Sequence, residues 1–358
     1  MIPIRNLYYL LCYAWGHLEE SDLVDSTELE RLDNVQNLFG KVLAEGVFRL
    51  TRRGLGQGYI KVTEELAGIR GKLQVAAMAT TAVRARGRTI CTYEVFSPDV
   101  LHNQILRSTL GMLLRTHSLD PAIREDVALA HERLDGVRTI RVTSRLFRRV
   151  QLNRNQRHYR FLLHICRLVH ESLLIDEQTG DSHFRDFRRN DQRMWQLFED
   201  FVREFFRVEQ NTFRVLDERK VPWGGLTGKT PADETYVPEM AADVLLESSS
   251  RRIVLDTKFY SKPLSHRWGS SKLRSTNLYQ LLAYLQNRQI SSPLGPRHEG
   301  ILLYAAVGLT FAVDVNLAGF RMQARTVDLS LPFQEIRGEM LKVLGRGEVQ
   351  RSIDPEAK

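Results

Sequence analysis

Pro238-Glu239-Met240-Ala241-Ala242-Asp243-Val244-Leu245-Leu246-Glu247, then Ser248-Ser249-Ser250-Arg251, then Arg252-Ile253-Val254-Leu255-Asp256-Thr257-Lys258-Phe259-Tyr260, is the stretch on which the fold turns. Two apolar runs flank a short polar turn, which signals a β-hairpin. With Ser249-Ser250 as the loop, Ser248 faces Arg251, and counting outward along both arms brings Asp243 opposite Asp256. Directly opposed residues share a face of a sheet, with Cβ atoms ~5 Å apart. Lys258 lies two residues beyond Asp256 and joins that face, because side chains alternate along a strand. Val244, Leu246, Ile253, Leu255 and Phe259 take the other face, which is apolar and reads as core.

Two carboxylates at that separation repel, and both stay ionised only beside a cation. A hard divalent ion with oxygen ligands, such as Mg2+, meets that need. Such an ion polarises a phosphodiester and activates water. Lys258 would orient or deprotonate that water, or stabilise the charge that develops on phosphorus. The Asp/Glu-x-Lys pattern alone is weak, since Glu218-Lys220 and Glu356-Lys358 also carry it. Only Asp256-Lys258 lies on an apolar strand with a second Asp at hairpin register.

Asn277 to Leu285 predicts a helix, with Gln280 and Tyr284 one turn apart on one face. The helix from Asn190 to Glu209 carries Glu199 and Glu204, and Glu204 is expected to complete the metal shell. The expected catalytic set is therefore Asp243, Asp256, Lys258, Gln280 and Tyr284. The expected metal set is Asp243, Asp256, Thr257 and Glu204.

Outward from this core, residues 4–18 and 35–50 read as helices, the first rich in aromatics. From Gly54 to Tyr93 strands and turns are expected, at 59–62, 68–73 and 89–93. Ser97-Pro98-Asp99 opens a helix running through Leu113, and a shorter one surrounds Ile123 to Leu134. Gly136 to His170 holds no Asp or Glu but nine arginines: 138, 141, 145, 148, 149, 154, 157, 160 and 167. A solvated face and linker would explain such a run; a contact surface for DNA phosphates or an acidic partner is the reading favoured here. Its polar middle, Gln151 to Gln156, is taken as the domain boundary, giving 1–150 and 151–358. A helix over 156–175 follows. After Pro238 the order strand, turn, strand, helix, strand gives an α/β or α+β core.

The composition is compatible with this reading without proving it. The 358 residues are 43% hydrophobic, too many for a disordered chain, and the net charge is +8. Arginine dominates the basic set, and its planar fork suits phosphate. Cys12, Cys91 and Cys166 form no zinc or CxxC pattern and read as reduced, buried thiols. Met1 to Asn6 does not open a signal peptide, and no apolar stretch reaches membrane-spanning length, so a soluble cytoplasmic protein without membrane contact is expected. Gly224 to Thr230 imitates a phosphate loop, but the pattern requires glycine where Trp223 stands. The histidines show no metal spacing.

Asp243, Asp256-Thr257-Lys258 and the helical Gln280 and Tyr284 resemble the PD-(D/E)xK nuclease core in its RecB-like form, although Pro238 lies five residues before Asp243. Over nearly its whole length the chain resembles the nuclease-subunit family of the McrBC 5-methylcytosine restriction systems. The residues carrying this are Pro3-Ile4-Arg5-Asn6-Leu7-Tyr8-Tyr9-Leu10-Leu11-Cys12-Tyr13-Ala14-Trp15, Leu66 to Lys72, Leu101 to Leu110, and Tyr159 onward. The resemblance implies an N-terminal finger-like mixed α/β domain inserting into a hexameric AAA+ GTPase ring of the McrB kind. It also implies a restriction-endonuclease-like core with a central mixed sheet flanked by helices. DNA containing modified cytosine, Mg2+, stimulation of the ring's GTPase and pairing of two nuclease subunits in the assembled complex follow from the same resemblance. Two alternatives stand beside it: a GTPase-activating scaffold with a secondary or silent nuclease site, and a free-standing RecB-like nuclease.

Overall fold

The computed structural model describes residues 1–345 except 79–85, 117, 154–155, 176–181, 185, 229, 261–263 and 268–269. Arg154, Lys229 and the Glu356-Lys358 pair therefore lie outside the described residues. Two compact units emerge: residues 1–21 with 187–358, and residues 22–186. The division differs from the expected cut at 150, and α1 (Ile4–Ala14) supplies one reason. Its Asn6 Nδ2 donates to the carbonyls of Leu329 at 2.8 Å and Leu331 at 2.7 Å, and the Tyr13 ring meets Phe201 and Phe205 at 5.6 and 5.5 Å. Leu7, Leu10 and Leu11 are fully buried. The helix stops at Ala14 rather than 18 because Gly16 takes a positive φ.

The 22–186 unit is built on α2 (Val35–Arg53), whose first turn is capped by Asn34 accepting from Asn37 N. β1 (Gly58–Leu66), β2 (Lys72–Leu73) and β3 (Thr89–Ser97) form an antiparallel sheet in the order β1-β3-β2, and β1 pairs with β3 over its whole length. Most of this ribbon faces solvent; Tyr59 and Phe96, cross-strand neighbours, are 74% and 59% exposed. α3 (Leu101–Leu114), α4 (Pro121–Glu132), α5 (Ser144–Arg149) and α6 (His158–Ser172) follow. α6 packs on α2 and α3, with Phe161, Leu162, Ile165 and Val169 buried. These contacts hold α6 in this unit and explain why the polar stretch before it is no boundary. Cys12, Cys91 and Cys166 are buried and form no disulfide among the described residues.

In the other unit α7 (Asp191–Glu209) buries Met194, Phe198, Phe201, Val202 and Phe205 at helical spacing. Its main further elements are β4 (Arg214–Val215), β5 (Val244–Glu247), β6 (Arg252–Phe259), α8 (Ser275–Ser291), β7 (His298–Ala306), β8 (Ala312–Leu317), β9 (Phe320–Asp328) and α9 (Phe333–Val343). The six-stranded sheet runs β8-β9-β7-β6-β5-β4, with β6–β7 and β7–β9 parallel and the rest antiparallel. This is the mixed sheet flanked by helices that the family resemblance implies.

The hairpin has the expected register: Glu247 pairs with Arg252 and Val244 with Leu255, and Ser248 N closes the turn on Arg251 O at 2.9 Å. Residues 253–258 of β6 are all buried, as befits a strand paired on both sides and covered on both faces. Val254 faces Leu281, Tyr284 and Leu285 of α8, whereas Phe259 faces Phe198 of α7 with ring centroids 6.3 Å apart. Gly300 on β7 lets α8 lie close, since a Cβ there would stand 2.8 Å from Leu281 Cδ2.

Candidate active site

Asp256, Thr257 and Lys258 sit near the C-terminal end of β6, where the ladder to β5 stops. Alternation sends Asp256 and Lys258 toward α8 with Val254, and Thr257 to the other face. All three are buried, at 2%, 0% and 9% exposure. Lys258 Nζ lies 2.5 Å from Asp256 Oδ2 and donates to Gln280 Oε1 at 2.9 Å. Gln280 Nε2 in turn donates to the Tyr284 hydroxyl at 2.8 Å. Gln280 is exposed while Lys258 is not, so the site reaches solvent past Gln280.

Asp243 arrives differently from the expectation. The pairing ends at Val244–Leu255, one pair short of the two acids. The chain there turns away, and Ala242 N donates to Arg219 O at 3.0 Å. Asp243 is fixed instead by Thr257, whose N–H and hydroxyl both donate to Asp243 Oδ2, at 2.7 and 2.6 Å. The physical reason is that β6, once free of β5, leaves its Thr257 N–H unpaired, and a buried N–H needs an acceptor.

The electrostatics bind the acids into one site. Burial pushes the Asp256 carboxyl up to about 7; the negative charges of Asp243 and Glu199 push the same way, and Lys258 opposes them. Glu199 is raised too, by burial first and then by Asp243, with Arg219 pulling down. Burial raises the Tyr284 hydroxyl, the Gln280 hydrogen bond lowers it, and the charges of Asp256, Asp243 and Glu199 add to the rise.

The acid that α7 contributes to this field is Glu199, not Glu204. Glu204 is bound to Arg207 at 2.6 Å and lies near Arg203. At 100° per residue the two glutamates point about 140° apart and flank the apolar stripe on opposite sides, and it is Glu199 whose charge reaches Asp256. Spacing does not distinguish them, since Glu199 adjoins Phe198 and Glu204 adjoins Phe205, both buried; in the structure Glu199 is the buried one, at 8% exposure. Arg219, ion-paired to Glu199, is a further neighbour that sequence reading does not find; its signal is purely tertiary.

The donor set suits a hard divalent cation. Its groups are carboxylate oxygens, and Asp256 Oδ2 is buried with the Lys258 ammonium 2.5 Å away. Among the described residues no three His, Cys, Asp or Glu side chains lie close enough to chelate an ion together. Asp243 and Asp256 are the carboxylates of this site that would hold such an ion, and water would have to complete its shell. No helix among the described residues is long and apolar enough to cross a membrane.

Comparison with known proteins places the chain in a family. The chain is 31% identical over 348 residues to the Type IV methyl-directed restriction enzyme EcoKMcrBC of Escherichia coli K12, covering 96% of this chain and 97% of the relative. Its fold matches a chain in the half-complex from a tetradecameric assembly of Thermococcus gammatolerans McrB AAA+ hexamers with bound McrC. There the TM-score is 0.57 at 17% identity, over 96% of this chain and 76% of the other. Residues 4–305 match the family described as McrBC 5-methylcytosine restriction system component, and the chain belongs to that family.

Proposed function

We propose that this chain is the DNA-cutting subunit of a type IV restriction complex: a Mg2+-dependent endonuclease that works on a McrB-like AAA+ GTPase ring and stimulates its GTP hydrolysis. The observation that carries the reading is Asp256, buried on a central strand with its carboxyl raised to about 7, Lys258 at 2.5 Å and Asp243 close enough to repel it. Such perturbed groups mark functional sites more often than structural ones. The E. coli relative is named as a restriction enzyme, and the archaeal neighbour has McrC bound to McrB hexamers.

In this reading Asp243 and Asp256 hold the ion, which when bound polarises the phosphodiester and lowers the pKa of water. Asp243 is held for that task by Thr257. Lys258 is aimed by Asp256 on one side and Gln280 on the other, and its ammonium stabilises negative charge on the phosphate at the transition state. Tyr284 fixes Gln280, so Lys258 does not swing away. Glu199 adds negative field beside Asp243 and favours cation entry; Arg219 restrains it. The exposed β1–β3 ribbon, with Tyr59 and Phe96 at its surface, is the segment suited to enter a ring.

The test is plasmid cleavage with Mg2+ by the chain alone, and with a McrB-type partner and GTP, using Asp256→Ala as control. Cutting that needs partner and GTP and is lost in Asp256→Ala supports the proposal. GTPase stimulation without any cutting points to the scaffold alternative. Robust cutting by the lone chain points to a free-standing nuclease.

A further inference from the structure

The acid-free run from Gly136 to His170 has no part in the nuclease chemistry. All eight of its described arginines are exposed. Arg138 is held by Asp99 at 2.5 Å and Arg167 by Glu171 at 2.9 Å. The remaining six, Arg141, Arg145, Arg148, Arg149, Arg157 and Arg160, have no carboxylate partner among the described residues. Unpaired guanidinium groups at this density repel one another, so an anionic partner gains by covering them.

Their placement is ordered. Arg148 and Arg149 lie three and four residues after Arg145 on α5 and so share its side of the helix. Arg148 meets Arg160 and Arg167 of α6 around a groove of about 400 Å3 floored by Phe147, Val150, Leu152 and Leu163. The chain just before, from Thr139 to Ser144, walls a second cleft of about 840 Å3 that holds Arg115 and Arg141. One continuous segment thus borders two grooves, each with arginines at its rim. Arg160 and Arg167 alone are about 10 Å apart along their helix. A single phosphate does not span this arrangement; a linear polyanion does.

We propose that this face of the 22–186 unit grips the sugar-phosphate backbone of duplex DNA without reading its sequence. The inference rests on the proposal that the substrate is DNA. Two features favour DNA over an acidic protein. The run contains arginine and no lysine, and the arginine fork matches phosphate oxygens in pairs. It also contains charges of one sign only, whereas protein interfaces use both signs to fix register.

The test measures binding of the full-length chain to a short fluorescein-labelled duplex lacking modified cytosine, in EDTA, by anisotropy from about 50 to 200 mM salt. The variants are Arg148→Gln/Arg160→Gln and the same pair with Arg145→Gln. Exposed residues leave the fold intact, so melting temperatures should match the wild type. Binding should weaken about 10-fold or more, and the slope of log K against log salt should flatten by about 0.9 for each phosphate that the variant no longer neutralises. Variants that bind as the wild type does at every salt overturn the proposal. So does unchanged duplex binding with lost association with an AAA+ ring, which would make the face a protein interface. Because the assay holds no metal and reads binding alone, weakened binding in the variants supports the surface even if the wild type never cuts DNA; that second result would remove only the nuclease reading.

Discussion

Thr257 gives both its backbone N–H and its hydroxyl to one oxygen of Asp243, at 2.7 and 2.6 Å. A residue between two members of the site thereby fixes the third. Hydrogen bonds to a charged group contribute about 1.5–3 kcal/mol, and loss of a residue that orients a metal ligand typically lowers affinity 10–100-fold. Thr257→Val keeps the shape and the N–H but loses the hydroxyl. It should raise the Mg2+ concentration needed for half-maximal cutting by about 10-fold, and Thr257→Ser should restore it. Equal Mg2+ requirements for wild type and Thr257→Val would show that the hydroxyl is dispensable.

Asp256 makes metal-free stability depend on pH. Its carboxyl is raised to about 7 in the folded chain, against ~3.9 when unfolded. Between those values the native state holds the extra proton, so this contribution is complete below the lower value and is lost as pH climbs through the upper one. Asp256→Asn should therefore be the more stable protein at neutral pH, by a few degrees in Tm, and the gap should shrink toward pH 4. Mg2+ should narrow the gap at neutral pH by loading the wild type alone. Melting curves across this range with and without Mg2+ test it; a gap independent of pH would contradict the raised carboxyl.

Glu199 and Glu204 form a matched pair for mutagenesis, on one helix and of one chemistry. Glu199→Gln should lower cutting about 10-fold or more, on the scale of a group beside the metal. Glu204→Gln removes a partly exposed pairing with Arg207 and should stay within about 2-fold, as surface ion pairs contribute little. The reverse order would reinstate Glu204 as the acid that matters.

The Lys258–Gln280–Tyr284 chain predicts graded losses in single-turnover cleavage. Lys258→Ala should cost about 100-fold or more, comparable with removing an oxyanion donor. Gln280→Ala should cost less, because Asp256 still holds the ammonium, and Tyr284→Phe least. A Tyr284→Phe enzyme slower than Lys258→Ala would mean that the tyrosine acts directly.

Gly300 tests the scaffold beneath this chain. Gly300→Val puts new atoms against Leu281 and Leu285, where even a Cβ would be 2.8–2.9 Å away. Overpacking of this kind costs about 1–3 kcal/mol. Tm should fall, and cutting should fall further than Tm explains as Gln280 shifts from Lys258. Unchanged cleavage in a folded Gly300→Val protein would show that α8 is not tightly positioned.

What the sequence determined by itself was local. The alternation of Val244 to Glu247 and Arg252 to Phe259 around three serines specifies the hairpin and its register, because a one-residue slip would invert both faces. The i, i+4 spacing of Gln280 and Tyr284 puts them on one helix face. Cys12, Cys91 and Cys166 read correctly as buried thiols because nothing near them has ligand spacing. The strands β8 and β9 were not legible: Gln323, Thr326 and Asp328 break the apolar pattern, yet all are buried, and Gln323 finds its partner in Asp314 across the ladder. Long-range packing alone sets α1 with the C-terminal residues, holds Asp243 through Thr257 rather than by a strand pair, and brings Glu199 rather than Glu204 into the acidic field. Each depends on which buried donor lacks an acceptor, or which face of a helix meets the sheet. Those facts follow from contacts between residues far apart in the chain, to which periodicity and spacing carry no signal.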